Sequence, residues 1–297
     1  MAGSVICFGE VLWDVFPDGE KIGGAPLNVA LRLNSMGINT SIASKIGNDE
    51  LGKRLLEFVD QQGLKKDLIQ IDTKHETGQV IVQLDEKGSA TYTIAHPAAW
   101  DKIEFSPSIF EQVKQCEAFL FGSLVARDEV SRATLNHLLN EAKYKVFDVN
   151  LRAPHYSIPL LEALMNTADF IKFNDDELAE ITQALNHNEE EIEQQIRFIA
   201  EHTQTKTICV TTGSDGALLY QEGKLISQPG FPIKVKDTVG AGDSFLATLL
   251  ADLLQQKPAK EALERACAMG AMVAASQGAN PKIDEVELQS FIKKHAS

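Results

Sequence analysis

The sequence predicts an α/β protein: a mainly parallel central sheet flanked by helices on both faces, with a small β-strand lid. Three observations carry this. Short apolar runs alternate with helical patterns over most of the 297 residues; two stretches, 11–24 and 76–98, break the alternation; and Gly240, Ala241 and Gly242 stand directly before Asp243 and a strongly apolar helix. Strand–helix alternation implies parallel strands joined by crossover helices, which cover both faces of the sheet.

Taken in order, the strands are expected at 4–9, 40–46, 117–121, 145–149, 169–173 and 206–211, each a short run with apolar residues at its centre. The helix 26–36 opens with Pro26, whose fixed φ suits the first helical position, and stops at Gly37. A second, 49–62, closes at Gly63, and an acidic third spans 188–202. Residues 11–24 are too long for a turn and too sparse for a helix. Residues 76–98 read as a hairpin, QVIVQL and ATYTIA around the turn DEKG. A hairpin with no helix partner projects from the body. The expectation is one domain over 1–297 with a β lid inserted from 11–24 and 76–102, serving as a cover or a dimer contact; a surface hairpin without function is the plainer alternative.

Composition excludes several classes. A hydrophobic content of 44% and a charged content of 24% are those of a soluble globular chain. The net charge of −14 argues against nucleic acid and anionic membrane as partners. No uncharged run reaches the roughly 18 residues of a membrane span. The amino-terminal stretch lacks a basic flank and contains Glu10 and Asp14, so it reads as a first core strand and not as a signal peptide. Cys7, Cys116, Cys209 and Cys267 are scattered through apolar segments, as buried free thiols of a cytoplasmic protein would be. The histidines have no metal-ligand spacing, which disfavours a zinc centre.

The chemistry concentrates at 237–255. Phe245, Leu246, Leu249, Leu250 and Leu253 recur at helical spacing, burying this helix against the sheet. Its start therefore lies at the strands' carboxyl edge, where open α/β sheets bind ligands. First-turn amides and the helix dipole there suit an anion. Asp243 can be a plain N-cap, worth about 1 kcal/mol, or a base that takes a proton from an attacking hydroxyl; the residues alone favour the commoner cap. A second stretch, GNDELGKR at 47–54, has the spacing of a Walker A loop. Arg54 stands where that loop needs Ser or Thr, and Asp49 and Glu50 would face phosphates, so it reads as a turn and a helix start.

DTVGAGD (237–243) and IGGAPLNVA (22–30) resemble the carboxyl- and amino-terminal signatures of the ribokinase/PfkB family of sugar kinases. The resemblance covers essentially the whole chain. It implies a ribokinase-like fold and transfer of the γ-phosphoryl of ATP to a sugar hydroxyl, with Asp243 as base and the amides of Gly240, Ala241 and Gly242 as anion hole. It further implies sugar contacts from Asp14, Gly23, Gly24 and Asn28.

DVNLR (148–152) and PAAWD (97–101) resemble fructokinase segments. They point to fructose, giving fructose 6-phosphate, ahead of 2-keto-3-deoxygluconate, ribose or nucleosides; a non-catalytic sugar sensor is the remaining alternative. Arg152 would hold sugar or the moving phosphate, unless it is a surface arginine. The lid would close over substrate near His96 to Trp100.

On the nucleotide side, the family's N-x-x-E arrangement places Asn174 and Glu177 to organise Mg²⁺ through water, the alternative being an N-cap in an acidic turn. Thr211, Gly213 and Gly216 match its nucleotide loop, with Gly242 beside them. Asp237, Val239, Ser276 and Gly278 occupy the positions of a monovalent cation site, for potassium. Small residues Ala266, Ala268, Gly270 and Ala271 allow close approach, either of adenine or of a neighbouring helix. The strands projecting from the body also point to a homodimer through the lid. A nicotinamide oxidoreductase is disfavoured, because no G-x-G-x-x-G lies between the first strand and helix.

Overall fold

A computed structural model describes residues 4–17, 19–84 and 90–295. Its strands are β1 Ser4–Phe8, β2 Leu12–Phe16, β3 Gly19–Gly23, β4 Asn39–Gly47, β5 Ile69–Asp72, β6 Gly78–Leu84, β7 Ala90–Ile94, β8 Ala118–Gly122, β9 Lys145–Asp148, β10 Phe170–Asn174, β11 Thr207–Thr211, β12 Gly216–Gln221 and β13 Lys224–Pro229. The helices are α1 Ala25–Ser35, α2 Glu50–Gln61, α3 Pro107–Gln115, α4 Glu129–Leu139, α5 Ile158–Met165, α6 Asp175–Ala184, α7 Ile192–Thr203, α8 Ala241–Leu254, α9 Ala259–Ala274 and α10 Glu285–His295.

The main sheet has the order β13-β12-β11-β10-β9-β8-β1-β4-β5. It is parallel from β11 to β5, and the hairpin β12–β13 continues it in the antiparallel sense. One buried apolar cluster packs α1, α2, α8 and α9 on one face, through residues such as Leu27, Leu55, Leu249 and Ala262. A second packs α3 to α7 on the other, through Val113, Leu138, Leu164, Ile181 and Ile199. This is the ribokinase-like α/β architecture expected. All six expected strands form. The acidic helix starts later than expected, at Ile192: after the left-handed turn at Asn186, φ 63°, residues 188–191 stay outside regular structure up to the extended Glu191, which precedes the first turn.

The two stretches outside the alternation pair with each other. They form a separate sheet of order β3-β2-β6-β7, in which β2 and β6 run parallel. The expected turn DEKG lies outside the described residues. The sheet ends at Ile94, short of the expected 102, because the next residues pack into the body: Ala98, Ala99, Trp100 and Asp101 are buried.

The Walker-like stretch does what the turn reading requires. Asp49 caps α2, accepting from the Gly52 amide at 2.8 Å, and also accepts from the Thr77 amide at 2.8 Å and hydroxyl at 2.7 Å. It thereby pins the base of β6 to the body. Arg54 reaches the lid: it pairs with Glu20 at 2.8 Å and lies 4.3 Å over the Trp13 ring.

Candidate active site

Gly240 takes a left-handed conformation, φ 74°, and so turns the chain into α8. No side chain caps this helix, so Asp243 is not an N-cap. Its carboxylate is half-buried and accepts from Asn28 Nδ2 at 2.8 Å. Asn28 is in turn held by Asn280, whose Nδ2 donates to Asn28 Oδ1 at 2.8 Å. Of the three expected anion-hole amides, Ala241's donates to the Thr238 carbonyl at 3.2 Å, closing the turn that Gly240 requires. That engagement narrows the hole: the Gly240 and Gly242 amides have no protein acceptor among the described residues.

Burial raises the Asp243 pKa to about 6, reinforced by Asp148; the Asn28 hydrogen bond, Lys172 and Arg152 oppose the rise. Two cationic side chains therefore share this end of the sheet with several carboxylates. Lys172 on β10 lies directly beside Asp148 on β9, its Nζ 3.1 Å from Oδ1. A Cβ added at Gly242 would lie 3.6 Å from the same Nζ, so this buried ammonium sits at the start of α8. Burial works against its charge, but Asp148, Glu177 and Asp243 outweigh that and raise its pKa. Arg152 leaves the same strand edge after Asn150, at φ 39°, and its charge acts on Asp14, Glu10 and Asp243 alike.

Asp14 on β2 faces Gly23 on β3, where a Cβ would collide with its carboxylate. Its pKa is raised by burial, against Arg152 and Lys21. Gly24, at φ 110°, lets the chain pass against the Glu10 carbonyl. Glu10 itself is a site residue that sequence reasoning missed. It is 3% exposed, Oε2 has no partner among the described residues, and burial pushes its carboxyl up to about 7, with Asp243 and Asp148 adding to the rise. Lys172 was missed as well, and Asp148 was noted only as the first residue of DVNLR, with no role. The available signal was an ionisable residue inside a buried strand, FIKF and VFDV, since such charges stay buried only when paired.

Within the segment 96–100, near which the lid is expected to close, Trp100 belongs to the interior. Its ring is fully buried beneath the Arg127 guanidinium, 4.1 Å away, and Arg127 pairs with the buried Asp101 at 2.7 Å. A side chain sealed this way cannot touch a sugar. Within 96–100 the exposed residues are His96 and Pro97.

A cleft of about 810 Å³ adjoins the start of α8. Of the residues expected on the nucleotide side, Asn174, Thr211, Gly213, Gly216 and Gly242 line it together and Glu177 does not. Phe231, Pro232, Ile233 and Val235 form an apolar wall, and Gly270, Ala271 and Cys267 of α9 face them. The small residues of α9 divide between two surroundings: Ala266 and Ala268 pack internally, while Gly270 and Ala271 line the cleft. The wall at 231–235 was not foreseen, since it lies outside regular strand or helix.

Asn174 and Glu177 form a reciprocal cap on α6: Glu177's amide donates to Asn174 Oδ1 at 2.7 Å, and Asn174's amide to Glu177 Oε2 at 2.8 Å. Glu177 Oε1 accepts from the Leu151 amide at 2.9 Å. The capping alternative is therefore built, and each Glu177 oxygen keeps a further lone pair. Among the described residues no group of three His, Cys, Asp or Glu could hold a metal directly. Asp237 draws two loops together, accepting from the Val239 and Gly278 amides at 3.1 Å each.

A parallel α/β body, a separate small β sheet and a half-buried carboxylate beside the Gly240 and Gly242 amides are the features of a ribokinase-like carbohydrate kinase. The model of the pfkB family of carbohydrate kinases matches residues 5–285, and the chain belongs to that family. It is similar to the probable fructokinase-5 of Arabidopsis thaliana, 27% identical over 94% of both chains, and to a fructokinase of Klebsiella pneumoniae, 29% identical over 85% of both. Among solved structures, a fructokinase of Xylella fastidiosa with bound ATP superposes with a TM-score of 0.88 at 22% identity over the full length of both. A fructokinase of Vibrio cholerae O395, in its fructose, ADP and potassium ion bound form, gives a TM-score of 0.84 at 25% identity over 98% of both.

Proposed function

We propose that this protein is an ATP-dependent fructose kinase that forms fructose 6-phosphate. The observation that carries the reading is the Asp243 carboxylate, half-buried, held by Asn28 and set among the first amides of α8. With sugar at Asp14, Gly23, Gly24, Asn28 and Arg152, and ATP in the cleft at Thr211, Gly213 and Gly216, the attacking hydroxyl and the γ-phosphorus meet at this point. Asp243 accepts the hydroxyl proton as the oxygen–phosphorus bond forms and the bond to ADP breaks. The Gly240 and Gly242 amides and Lys172 stabilise the charge on the transferring phosphoryl.

Magnesium accompanying ATP would neutralise charge between its β- and γ-phosphates. The residues fit a hold through water: Glu177 and Asn174 are spent on the α6 cap in their first lone pairs only, and Asp148 lies alongside. Asp237 with the carbonyls of Val239, Ser276 and Gly278 fits a potassium ion, all hard oxygen donors on two loops already drawn together. The lid sheet would cover the sugar and pair two subunits in a cytoplasmic enzyme; no helix among the described residues is long and apolar enough to cross a membrane.

A coupled assay for ADP release, run over fructose, 2-keto-3-deoxygluconate, ribose and adenosine with and without potassium, tests this. Turnover highest with fructose is the expected result. Turnover with another sugar alone reassigns the substrate, and no turnover with any of them overturns the kinase reading.

A further inference from the structure

Asn280 lies in the loop before α10, 252 residues from Asn28, and none of the roles above belongs to it. It nevertheless ends a chain of two side-chain hydrogen bonds: Asn280 Nδ2 to Asn28 Oδ1 at 2.8 Å, then Asn28 Nδ2 to Asp243 Oδ2 at 2.8 Å. A carboxamide carries an acceptor at one end and donors at the other. Asn28 is buried, so its two ends cannot both turn to water. If Asn280 donates to its carbonyl end, its NH₂ end must face Asp243. With the amide reversed, a carbonyl oxygen would face the carboxylate.

The segment that delivers Asn280 is fixed on both sides. Gly278's amide is held by Asp237 at 3.1 Å. Ala279 packs so tightly on Gly240 that a Cβ there would lie 2.6 Å from the Ala279 Cα. Beyond it, the Pro281 carbonyl accepts from Arg32 Nη2 at 2.9 Å, and Arg32 Nε donates to Ser244 Oγ at 3.2 Å. Asn280 is thus referenced to both ends of the first turn of α8. Its own Oδ1 is buried and has no partner among the described residues, so the bond it gives to Asn28 is the one polar tie its side chain makes there.

We propose that Asn280 is a positioning residue of the phosphoryl-transfer site, which locks the Asn28 amide with its NH₂ end toward Asp243. This rests on Asp243 being the base, and its test has a readout that does not depend on turnover. The groups facing Asp243 are Asn28, Asp148, Lys172, Arg152 and Glu10, and Asn280 alters none of the charges among them.

The test compares wild type with Asn280→Leu and Asn280→Asp. Leucine removes the donor and also the unpartnered buried oxygen, so the melting temperature should stay within a few degrees of wild type. Aspartate offers only acceptors when ionised, and so turns the Asn28 NH₂ toward itself. In Asn280→Leu, kcat should fall about tenfold with both KM values within about twofold, as expected for one lost hydrogen bond. Asn280→Asp should fall further. The acid limb of kcat/KM against pH should move to higher pH in both, and the ¹³C titration of the Asp243 side chain should move the same way in the free protein. An Asp243 titration unchanged in Asn280→Leu, which alters no charge, would overturn the proposal, as would activity loss that merely follows the melting temperature. Absence of turnover in wild type with a shifted Asp243 titration in the variants would sink the kinase reading and leave the proposal standing.

Discussion

Lys172 and Asp148 are register partners on adjacent parallel strands, both side chains buried, with Nζ 3.1 Å from Oδ1. The pair lies below the start of α8, so it holds one positive charge where a phosphoryl oxygen is to pass. Lys172→Met should lower kcat by at least about 100-fold, as loss of an oxyanion-stabilising group does. It should also destabilise the fold by about 3–5 kcal/mol, since Asp148 is left buried without a partner. Adding Asp148→Asn should return most of the stability and none of the activity, measured by denaturant unfolding and steady-state rates.

Asp243→Asn should lower kcat by about 10²–10⁴-fold while fructose still binds, because the amide keeps the shape and loses the proton acceptor. Calorimetric titration with fructose, alongside the ADP-release assay, separates the two effects. Retained turnover would remove Asp243 from its role as base.

The pH profile follows from the Asp243 carboxyl, raised by burial to about 6. Below that value the base carries its proton and cannot accept another, so kcat/KM should climb as pH rises through about 6. An acid limb below pH 5 in the wild-type enzyme would contradict the raised value.

Glu10 links pH to stability with a definite sign. Folded, it keeps its proton to about pH 7, against an ordinary value of 4.5 in the unfolded chain. Between those values the folded state holds more protons, so its contribution to stability falls as pH rises and stays lost above 7. Glu10→Gln should therefore raise the melting temperature at pH 8 and leave it nearly unchanged at pH 4.

Gly216 stands at φ 112°, where a Cβ would strike the Gln228 carbonyl and lie 2.6 Å from the Gly230 amide nitrogen. Gly216→Ala should distort the loop beneath the nucleotide cleft. The KM for ATP should rise by about tenfold or more, with the fructose KM little changed; equal effects on both would place Gly216 outside the nucleotide contact.

Much of this was legible beforehand for a physical reason. Strands buried on both faces read as apolar runs, and glycines that must turn left-handed or admit close contact, such as Gly24 and Gly240, stand out against their neighbours. Residues whose roles depend on distant partners were not legible. Glu10, Lys172 and Asn280 become site residues only through strand register or loop packing; the lysine inside FIKF is a local hint that it is paired, but the partner is not legible. PAAWD left open which of its residues meets substrate, and only the Arg127–Asp101 pair reveals that Trp100 and Asp101 serve the interior.

Asn28 and Asp243 are separated by 215 residues, and Asn280 comes later still. A chain emerging from the ribosome presents its sugar-side residues long before the base exists, and the base before the loop that steadies it. On the proposed reading, full turnover waits for the loop at 278–281 to dock on the start of α8, and truncation before Gly278 should lower turnover well before it prevents the parallel strands from assembling.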